Sequence, residues 1–380
     1  MSGTFTGAER AAVLAVGVVG VLIAGLQPQL LGALAIEGRV GESLLGHVAT
    51  AELLAMGLAA GGAGFVLPVT RLRLTAGLAI LVAAALDLLT PGATGGMLVA
   101  VRAATGVAEG VLIWLAIGLI VRSAEPARLS GVYLAVQTLA QFGIATLLGL
   151  YIVPFAGARG GFIALAVASL IGLIALPWMP GRYAPLDHAT AATSARIPAR
   201  GLIALAGVVL YLAFVVAVWV YVEPLAGERG VPARTIAAIA PLSLAMQVVG
   251  AGLATLLAGR LPALPTLLLV GAANLVLLAI MATATSPTAF VAATSAFGLL
   301  WLFALPFQVP AVIAADPTRN AAALIGGAQL IGASAGPFAA ALLLGAGTVM
   351  PVLWFGAACI VAALALTLAA ATRAGHRVAA

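Results

Sequence analysis

The chain has 380 residues, of which 64% are hydrophobic and only 7% are charged, and its formal net charge is +6. Soluble globular domains carry about 25% charged residues, so this composition excludes a soluble protein and indicates one that is embedded in a membrane. All 17 basic residues are arginine. Their position in loops explains the positive charge through membrane topology, so we expect no nucleic acid as a partner.

Apolar runs long enough to cross a hydrocarbon core of roughly 30 Å as helices recur along the whole chain. We identify twelve of them, near 11–36, 43–67, 74–90, 96–121, 130–153, 160–179, 201–225, 233–258, 264–285, 288–314, 320–345 and 350–371. The sequence therefore predicts an all-α membrane protein with twelve transmembrane helices.

The arginines predict the orientation of these spans. The first run lacks a small-residue cleavage pattern, so we interpret it as a span and not as a signal peptide. With the N-terminus inside, the outside loops hold only four arginines, Arg39, Arg159, Arg229 and Arg234. Because basic residues concentrate on the cytoplasmic side, we expect a multi-pass protein of the inner (plasma) membrane with both termini in the cytoplasm.

A polar stretch at 180–200 divides the chain near its middle. We expect an N-terminal bundle at 1–180, a cytoplasmic linker at 181–199 and a C-terminal bundle at 200–380. The tetrads Glu125-Pro126-Ala127-Arg128 and Asp316-Pro317-Thr318-Arg319 follow the fourth and the tenth run, 191 residues apart. This repeat indicates duplicated halves, as in many transporters.

The twelve spans in two halves with a longer central linker resemble the major facilitator superfamily, and local motifs sharpen the resemblance. Arg102-x-x-x-Gly106 in the fourth span is similar to the motif that proton-coupled members carry there, and RSAEPARLSG after it is similar to the family's turn into the fifth helix. The resemblance implies two pseudo-symmetric six-helix bundles that work by alternating access, with substrate bound between them near the midplane. It points to a drug- or sugar-efflux-like, proton-coupled branch.

Other motifs depart from the family pattern. The loop between the second and third spans keeps Arg71 and Arg73 but has Pro68 where the family has an aspartate, and the second-half copy ending in Arg260 also lacks an acid. The loss of both acids puts the family's cytoplasmic charge latch in doubt. The resemblance still implies gating positions at the cytoplasmic ends, namely Arg71, Arg73, Arg128, Arg260 and Arg319. A Gly-x-x-x-Gly-Pro motif stands at 332–337 in the eleventh span and not in the fifth.

Charged residues at membrane depth cost at least about 2.5–3.5 kcal/mol, so they require a reason. The candidates are Glu52, Arg102, Glu109 and the shallower His47. Arg102 and Glu109 share one helix face but lie roughly 10 Å apart along its axis. Glu52 is therefore the more plausible partner of Arg102, which leaves Glu109 to face the cavity. In one interpretation Arg102 is a static bridge between helices; in the other it exchanges partners while Glu109, or else Glu52, carries a proton.

Neutral amides and aromatic side chains supply the remaining polar groups at membrane depth. The resemblance places substrate candidates at Gln27, Gln137, Gln247, Trp301, Gln308 and Gln329. Amides, aromatic rings and one or two carboxylates suit an amphipathic or cationic small molecule.

Enzymatic chemistry has little support, because the chain contains no lysine for a Walker-type loop and no metal-ligand spacing of histidines. We expect no enzyme activity, no cofactor and no metal. The expected function is proton-coupled export of small amphipathic compounds by a monomer, with protons, a small-molecule substrate and the lipid bilayer as partners. The alternatives are proton-coupled uptake of a small organic solute or anion and, more remotely, a transporter-like receptor or scaffold.

Overall fold

A computed structural model describes residues 5–120, 122–123, 126–183, 197–257, 260–317, 320–344 and 348–372. The chain divides into two compact units, Met1–Ala189 and Thr190–Ala380. The predicted linker at 181–199 lies outside the described residues except at its two ends. Each unit has its own helix-packed core.

The first unit contains six α-helices, which are α1 (Gly7–Ile36), α2 (Glu42–Val66), α3 (Leu72–Leu89), α4 (Gly95–Ile120), α5 (Pro126–Leu147) and α6 (Val153–Ile171). Helix α1 begins four residues before the predicted span because Thr6 and Glu9 form a capping box. The Thr6 hydroxyl accepts from the Glu9 amide at 3.2 Å, and the Glu9 carboxylate accepts from the Thr6 amide at 2.9 Å.

Helices α5 and α6 are joined differently from the sequence-based expectation. A single π-helical turn at Leu148–Ile152 fills the space between them, and a 3-10 segment at Gly172–Trp178 continues α6. The run is interrupted inside α6 at Gly157, where φ is 60° and ψ is −160°. The break therefore falls at a glycine, since only glycine adopts this backbone conformation readily.

The second unit contains α7 (Ala199–Glu228), α8 (Ala233–Leu257), α9 (Ala263–Thr283), α10 (Pro287–Ala315), the short α11 (Asn320–Ala323), α12 (Ile325–Leu343) and α13 (Pro351–Thr372). The predicted span at 320–345 is thus split into α11 and α12. The first turn of α11 is stabilised by Asp316, because the Asp316 carboxylate accepts from the Ala321 amide at 2.8 Å.

Eleven helical segments of the described residues are long and apolar enough to cross a membrane, which makes the protein a multi-pass membrane protein. One of them, Gly131–Trp178, is 48 residues long and covers the predicted fifth and sixth spans together. The other ten segments match the remaining ten predicted spans.

Glycines set the closest helix contacts in both units. A methyl group on Gly106 of α4 would overlap the backbone carbonyl of Glu52 in α2. In the second unit, Gly298 of α10 lies in the same way against the carbonyl of Ser243 in α8. Close backbone approach through small residues is how membrane helices pack without a hydrophobic drive between them.

The glycines of the eleventh predicted span have the same structural role. Gly332 and Gly336 of α12 lie against the backbone carbonyls of Val209 and Ala213 in α7, where a side chain would collide. The Gly-x-x-x-Gly-Pro motif is thereby explained by packing.

A pair of long-range caps repeats in the two units. Glu37 after α1 accepts from the Ala158 amide beside the Gly157 break at 2.7 Å, and Glu228 at the end of α7 accepts from the Val349 amide before α13. Each contact joins residues 121 apart, and the second lies 191 residues after the first, the same offset as the acid-Pro-x-Arg tetrads. Glu125 and Arg319 of those tetrads lie outside the described residues.

The turn between α2 and α3 is fastened by the segment that follows α6. The Tyr183 amide donates to Val69 at 2.9 Å, and the Leu72 amide donates to Gly181 at 3.2 Å. These backbone bonds hold the turn that contains Pro68, the position at which the resemblance implies an aspartate.

Tyr183 extends this fastening to the end of α4. Its hydroxyl donates to the Leu115 carbonyl at 2.6 Å, and the Arg122 guanidinium lies over its ring, 5.0 Å from the centroid. Phe5 packs edge-on against the same ring at 6.0 Å. Burial raises the pKa of the Tyr183 hydroxyl and lowers that of Arg122.

Candidate functional site

A buried cluster of charges lies between three helices of the first unit. Arg102 on α4 is fully buried and donates to the carboxylates of Glu52 on α2 and Asp87 on α3, the latter at 2.6 Å. The Thr90 hydroxyl lies 3.3 Å from the same guanidinium. One arginine therefore bridges two carboxylates on two neighbouring helices.

The surroundings hold the Arg102–Glu52 pair in place. The Phe162 ring of α6 lies 5.4 Å from the centre of the guanidinium, within cation–π range. Gly106, one turn after Arg102, brings the backbone of α2 against α4 at Glu52 itself. The Gln27 amide of α1 donates to the other Glu52 oxygen at 3.3 Å. Four helices thus contribute contacts to this pair.

Glu109 is the fourth charged member and differs from the other two carboxyls. It is 4% exposed, and no described residue donates a hydrogen bond to its Oε2 atom. It is close enough to interact electrostatically with Arg102, Glu52 and Asp87. The cluster therefore contains three carboxyl groups and one arginine, an excess of two acids over bases.

The expected contact between Arg102 and Glu52 is present, and Arg102 does not reach Glu109 with a hydrogen bond among the described residues. Sequence reasoning missed Asp87, although the signal was available as an acid inside the third apolar run. His47, the remaining candidate, contacts the carbonyl of Ser43 within its own helix at 2.8 Å.

The equivalent positions of the second unit carry no charge. An offset of 191 residues takes Glu52 to Ser243, and 192 residues take Arg102 to Thr294. The Ser243 hydroxyl donates to the Thr294 carbonyl at 3.1 Å, so these positions are in contact in both units. A neutral hydrogen bond replaces the ion pair.

A further cluster position is a tryptophan in the second unit. The offset of 192 residues that relates Arg102 to Thr294 takes Glu109 to Trp301, which contacts Trp219 of α7. The two indole rings meet edge-on, with centroids 5.8 Å apart. The first unit therefore concentrates charge where the second concentrates aromatic surface.

The predicted amide residues do not converge on one site within either unit. Gln27 belongs to the charge cluster, and Gln137 of α5 is half-buried. Gln247 of α8 is buried, and its amide nitrogen has no hydrogen-bond partner among the described residues. Gln329 donates to Gln308 at 3.0 Å across α12 and α10.

The predicted gating arginines occupy different surroundings. Arg71 and Arg260 are exposed, whereas Arg73 donates to the Met179 carbonyl at 2.7 Å and thereby joins the fastening of the α2–α3 turn. The side chain of Arg128 and the whole of Arg319 lie outside the described residues. In the part of the chain that the structure describes, no group of His, Cys, Asp and Glu could hold a metal ion.

No protein-family model and no curated protein sequence matches the chain. Solved structures do match its fold over nearly the whole length. A mutant of the nucleoside transporter NupG aligns with a TM-score of 0.74 at 11% identity, covering 95% of this chain and 99% of the other.

Two further structures give the same result. A bacterial homolog of the human lysosomal transporter Spinster, inward-facing and occupied, aligns with a TM-score of 0.60 at 15% identity over 96% of this chain and 94% of the other. The major facilitator superfamily transporter FucP, in the outward conformation, aligns with a TM-score of 0.61 at 14% identity. The alignment covers 95% of this chain and 98% of the other. All three are transporters, and the likeness shows that this chain shares their fold.

Proposed function

Since the chain has the fold of major facilitator superfamily transporters, we propose that it is a secondary active transporter that works by alternating access. It has twelve spans in two pseudo-symmetric halves of six, lies in the inner (plasma) membrane with both termini in the cytoplasm, and acts as a monomer. The proposed halves are 1–180 and 200–380, joined by the linker at 181–199.

The count of twelve rests on the 48-residue segment Gly131–Trp178. At 1.5 Å per residue it would extend roughly 72 Å, more than twice the hydrocarbon thickness, so it crosses the membrane twice. The turn lies at Gly157, because Glu37 caps the adjacent Ala158 as Glu228 caps Val349 between α12 and α13.

Proton coupling is supported by the buried cluster around Arg102. Three carboxyl groups share one guanidinium, so the cluster is neutral only when it holds two protons. Uncompensated charge at membrane depth is costly, and release of one proton therefore favours a rearrangement that brings Arg102 to the new carboxylate. Glu109, which has no donor on Oε2 in this state, is the proposed proton carrier, with Arg102 as its switchable counter-ion and Glu52 as the reserve carrier.

The substrate class is proposed from the aromatic residues of the second half, which carries no charge at the positions equivalent to the cluster. Trp301, at the position where the other half carries Glu109, is half-buried and packs edge-on against the buried Trp219. Aromatic faces bind organic cations and flat amphipathic molecules. Uptake of an anion by Arg102 has less support, because both terminal nitrogens of Arg102 already bind carboxylates. Export of amphipathic compounds, with Gln137, Gln247, Gln308 and Gln329 as further contacts, is the function that we propose.

Ethidium, a flat organic cation, tests this proposal in proteoliposomes with an imposed pH gradient. The wild type should move ethidium against its concentration gradient in exchange for protons, and Glu109→Gln should move it only down its own gradient. Glu228→Gln is the matched control, because it removes a carboxyl outside the cluster and keeps an oxygen that can accept the Val349 bond.

Each result has a definite meaning. If Glu109→Gln stays coupled and Glu52→Gln does not, the carrier is Glu52. If all three variants accumulate ethidium as the wild type does, the cluster is a static bridge and the coupling proposal is wrong. Failure of the wild type to respond to the pH gradient would contradict export of this substrate class.

A further inference from the structure

The second unit contains a cavity of about 310 Å³ between four of its helices. The wall is formed by the first half of α7, the beginning of α9, the last turns of α10 and the second half of α13, with Val208, Leu264, Ala311 and Ala363 as examples from each. A cavity of this size falls in the range of small-molecule sites.

The wall of the cavity offers almost no free hydrogen-bonding group. Its three polar side chains are Tyr211, Gln308 and Thr367. The Tyr211 hydroxyl donates to a carbonyl of α10 at 3.3 Å, and the Thr367 hydroxyl donates to Ala363 at 2.8 Å. The Gln308 oxygen accepts from Gln329, which leaves the Gln308 amide nitrogen as a donor on a wall that is otherwise mostly apolar. A wall with so few polar partners favours a hydrocarbon ligand over a polar one.

One end of the cavity carries positive charge. The Arg200 guanidinium lies 3.3 Å from the carbonyl of Ala370, which lines the cavity. Arg260 is exposed and precedes the lining residue Pro262 by two positions. Both arginines stand where an odd-numbered helix begins, Arg200 in the first turn of α7 and Arg260 just before α9.

We propose that this cavity holds an acyl chain of an anionic phospholipid from the surrounding bilayer, with the lipid phosphate at Arg200 and Arg260. An apolar chamber with a basic end matches a molecule that has a hydrocarbon chain and an anionic head. Basic pockets between membrane helices bind such headgroups. A polar solute would exchange its hydrogen bonds with water for an apolar wall. The site is distinct from the charge cluster and does not depend on transport.

Native mass spectrometry of the purified full chain measures the binding of phospholipid directly. The chain is titrated with phosphatidylglycerol and with phosphatidylcholine of identical acyl chains. The first lipid should bind about tenfold more tightly, because two arginines near the surface attract the anionic head. Equal affinity for the two lipids in the wild type would overturn the proposal without any variant. Binding of glycerol phosphate, which has no chain, to the same extent would overturn it as well.

Two variants with matched controls test the chain and the head separately. Ala311→Phe fills the cavity and should abolish the preference for phosphatidylglycerol, whereas Ala296→Phe adds the same ring to a half-buried position of α10 outside the cavity and should retain it. Arg260→Gln should reduce the preference, and Arg234→Gln, at the opposite end of α8, should not. If Ala311→Phe folds and binds phosphatidylglycerol as the wild type does, the lipid lies elsewhere.

Discussion

At the scale of single residues, the sequence predicted the charge pair of the cluster but not its full membership. Arg102 and Glu52 were matched by their similar depth in two spans, and the structure shows them in contact. Asp87 was not among the candidates, although it lies inside the third predicted span. It lies close to the end of α3, and the length of the arginine side chain lets Arg102 reach it.

The ion pairs of Arg102 lead to a prediction about stability. Arg102→Leu leaves Glu52 and Asp87 buried without a cation, which typically costs about 3–5 kcal/mol. We expect a large fall in the midpoint of thermal unfolding. The midpoint is measured with a maleimide dye that reacts with the buried thiol of Cys359 when unfolding exposes it. The triple variant Arg102→Leu, Glu52→Gln, Asp87→Asn should recover most of the loss.

Arg234→Leu serves as the control for this experiment, because its side chain is exposed and should change stability by no more than about 0.5 kcal/mol. If the unfolding midpoint of Arg102→Leu were as close to that of the wild type as the midpoint of Arg234→Leu is, the Arg102 guanidinium would not compensate the charges of Glu52 and Asp87.

At the scale of helices, composition predicted most span positions to within a few residues, and the exceptions have local causes. The predicted loop between 153 and 160 is reduced to a break at Gly157, because the π-helical turn and the start of α6 extend helical structure up to that residue. The eleventh span begins with the separate short helix α11, whose first turn is capped by Asp316 at the Ala321 amide. Apolar periodicity carries no information about either feature.

The break in α6 should depend on Gly157 itself. Its φ of 60° with ψ of −160° is unfavourable for any side chain, and a Cβ atom would collide with Glu37 Oε1. Gly157→Ala should therefore destabilise the protein by about 1–3 kcal/mol. The same thermal measurement checks this value.

Gly143 of α5 provides the comparison, since a Cβ atom there meets nothing within 4 Å. Gly143→Ala should be neutral or stabilising by up to about 1 kcal/mol, because alanine favours helix. Equal effects of the two substitutions would mean that the turn at Gly157 imposes no strain.

At the scale of the whole molecule, the internal repeat was visible in sequence as the acid-Pro-x-Arg tetrad and the degraded loop copy that ends in Arg260. The structure adds the caps from Glu37 and Glu228 and the paired contacts at Glu52 and Ser243, at the same spacing. These residues differ in type between the copies or lie in unrelated local sequence, so they could be related only once their contacts were known.

The number of membrane crossings predicts which side each loop occupies. In a Cys359→Ala background, single cysteines at Arg159 and Arg234 should react with a membrane-impermeant maleimide added outside cells, and those at Arg71 and Arg260 only after permeabilisation. All four side chains are exposed. If Gly131–Trp178 crossed only once, the reactivities of the positions at Arg234 and Arg260 would be reversed.

The fastening of the α2–α3 turn has a consequence for how this protein senses its surroundings. It consists of backbone bonds, a neutral phenol, an edge-on contact with Phe5 and the side chains of Arg73 and Arg122, and burial raises the pKa of that phenol further above neutrality. These contacts include no carboxylate and no histidine side chain, so acidification protonates none of them. The chain therefore keeps a joint at this turn that is chemically independent of the buried carboxyl groups around Arg102.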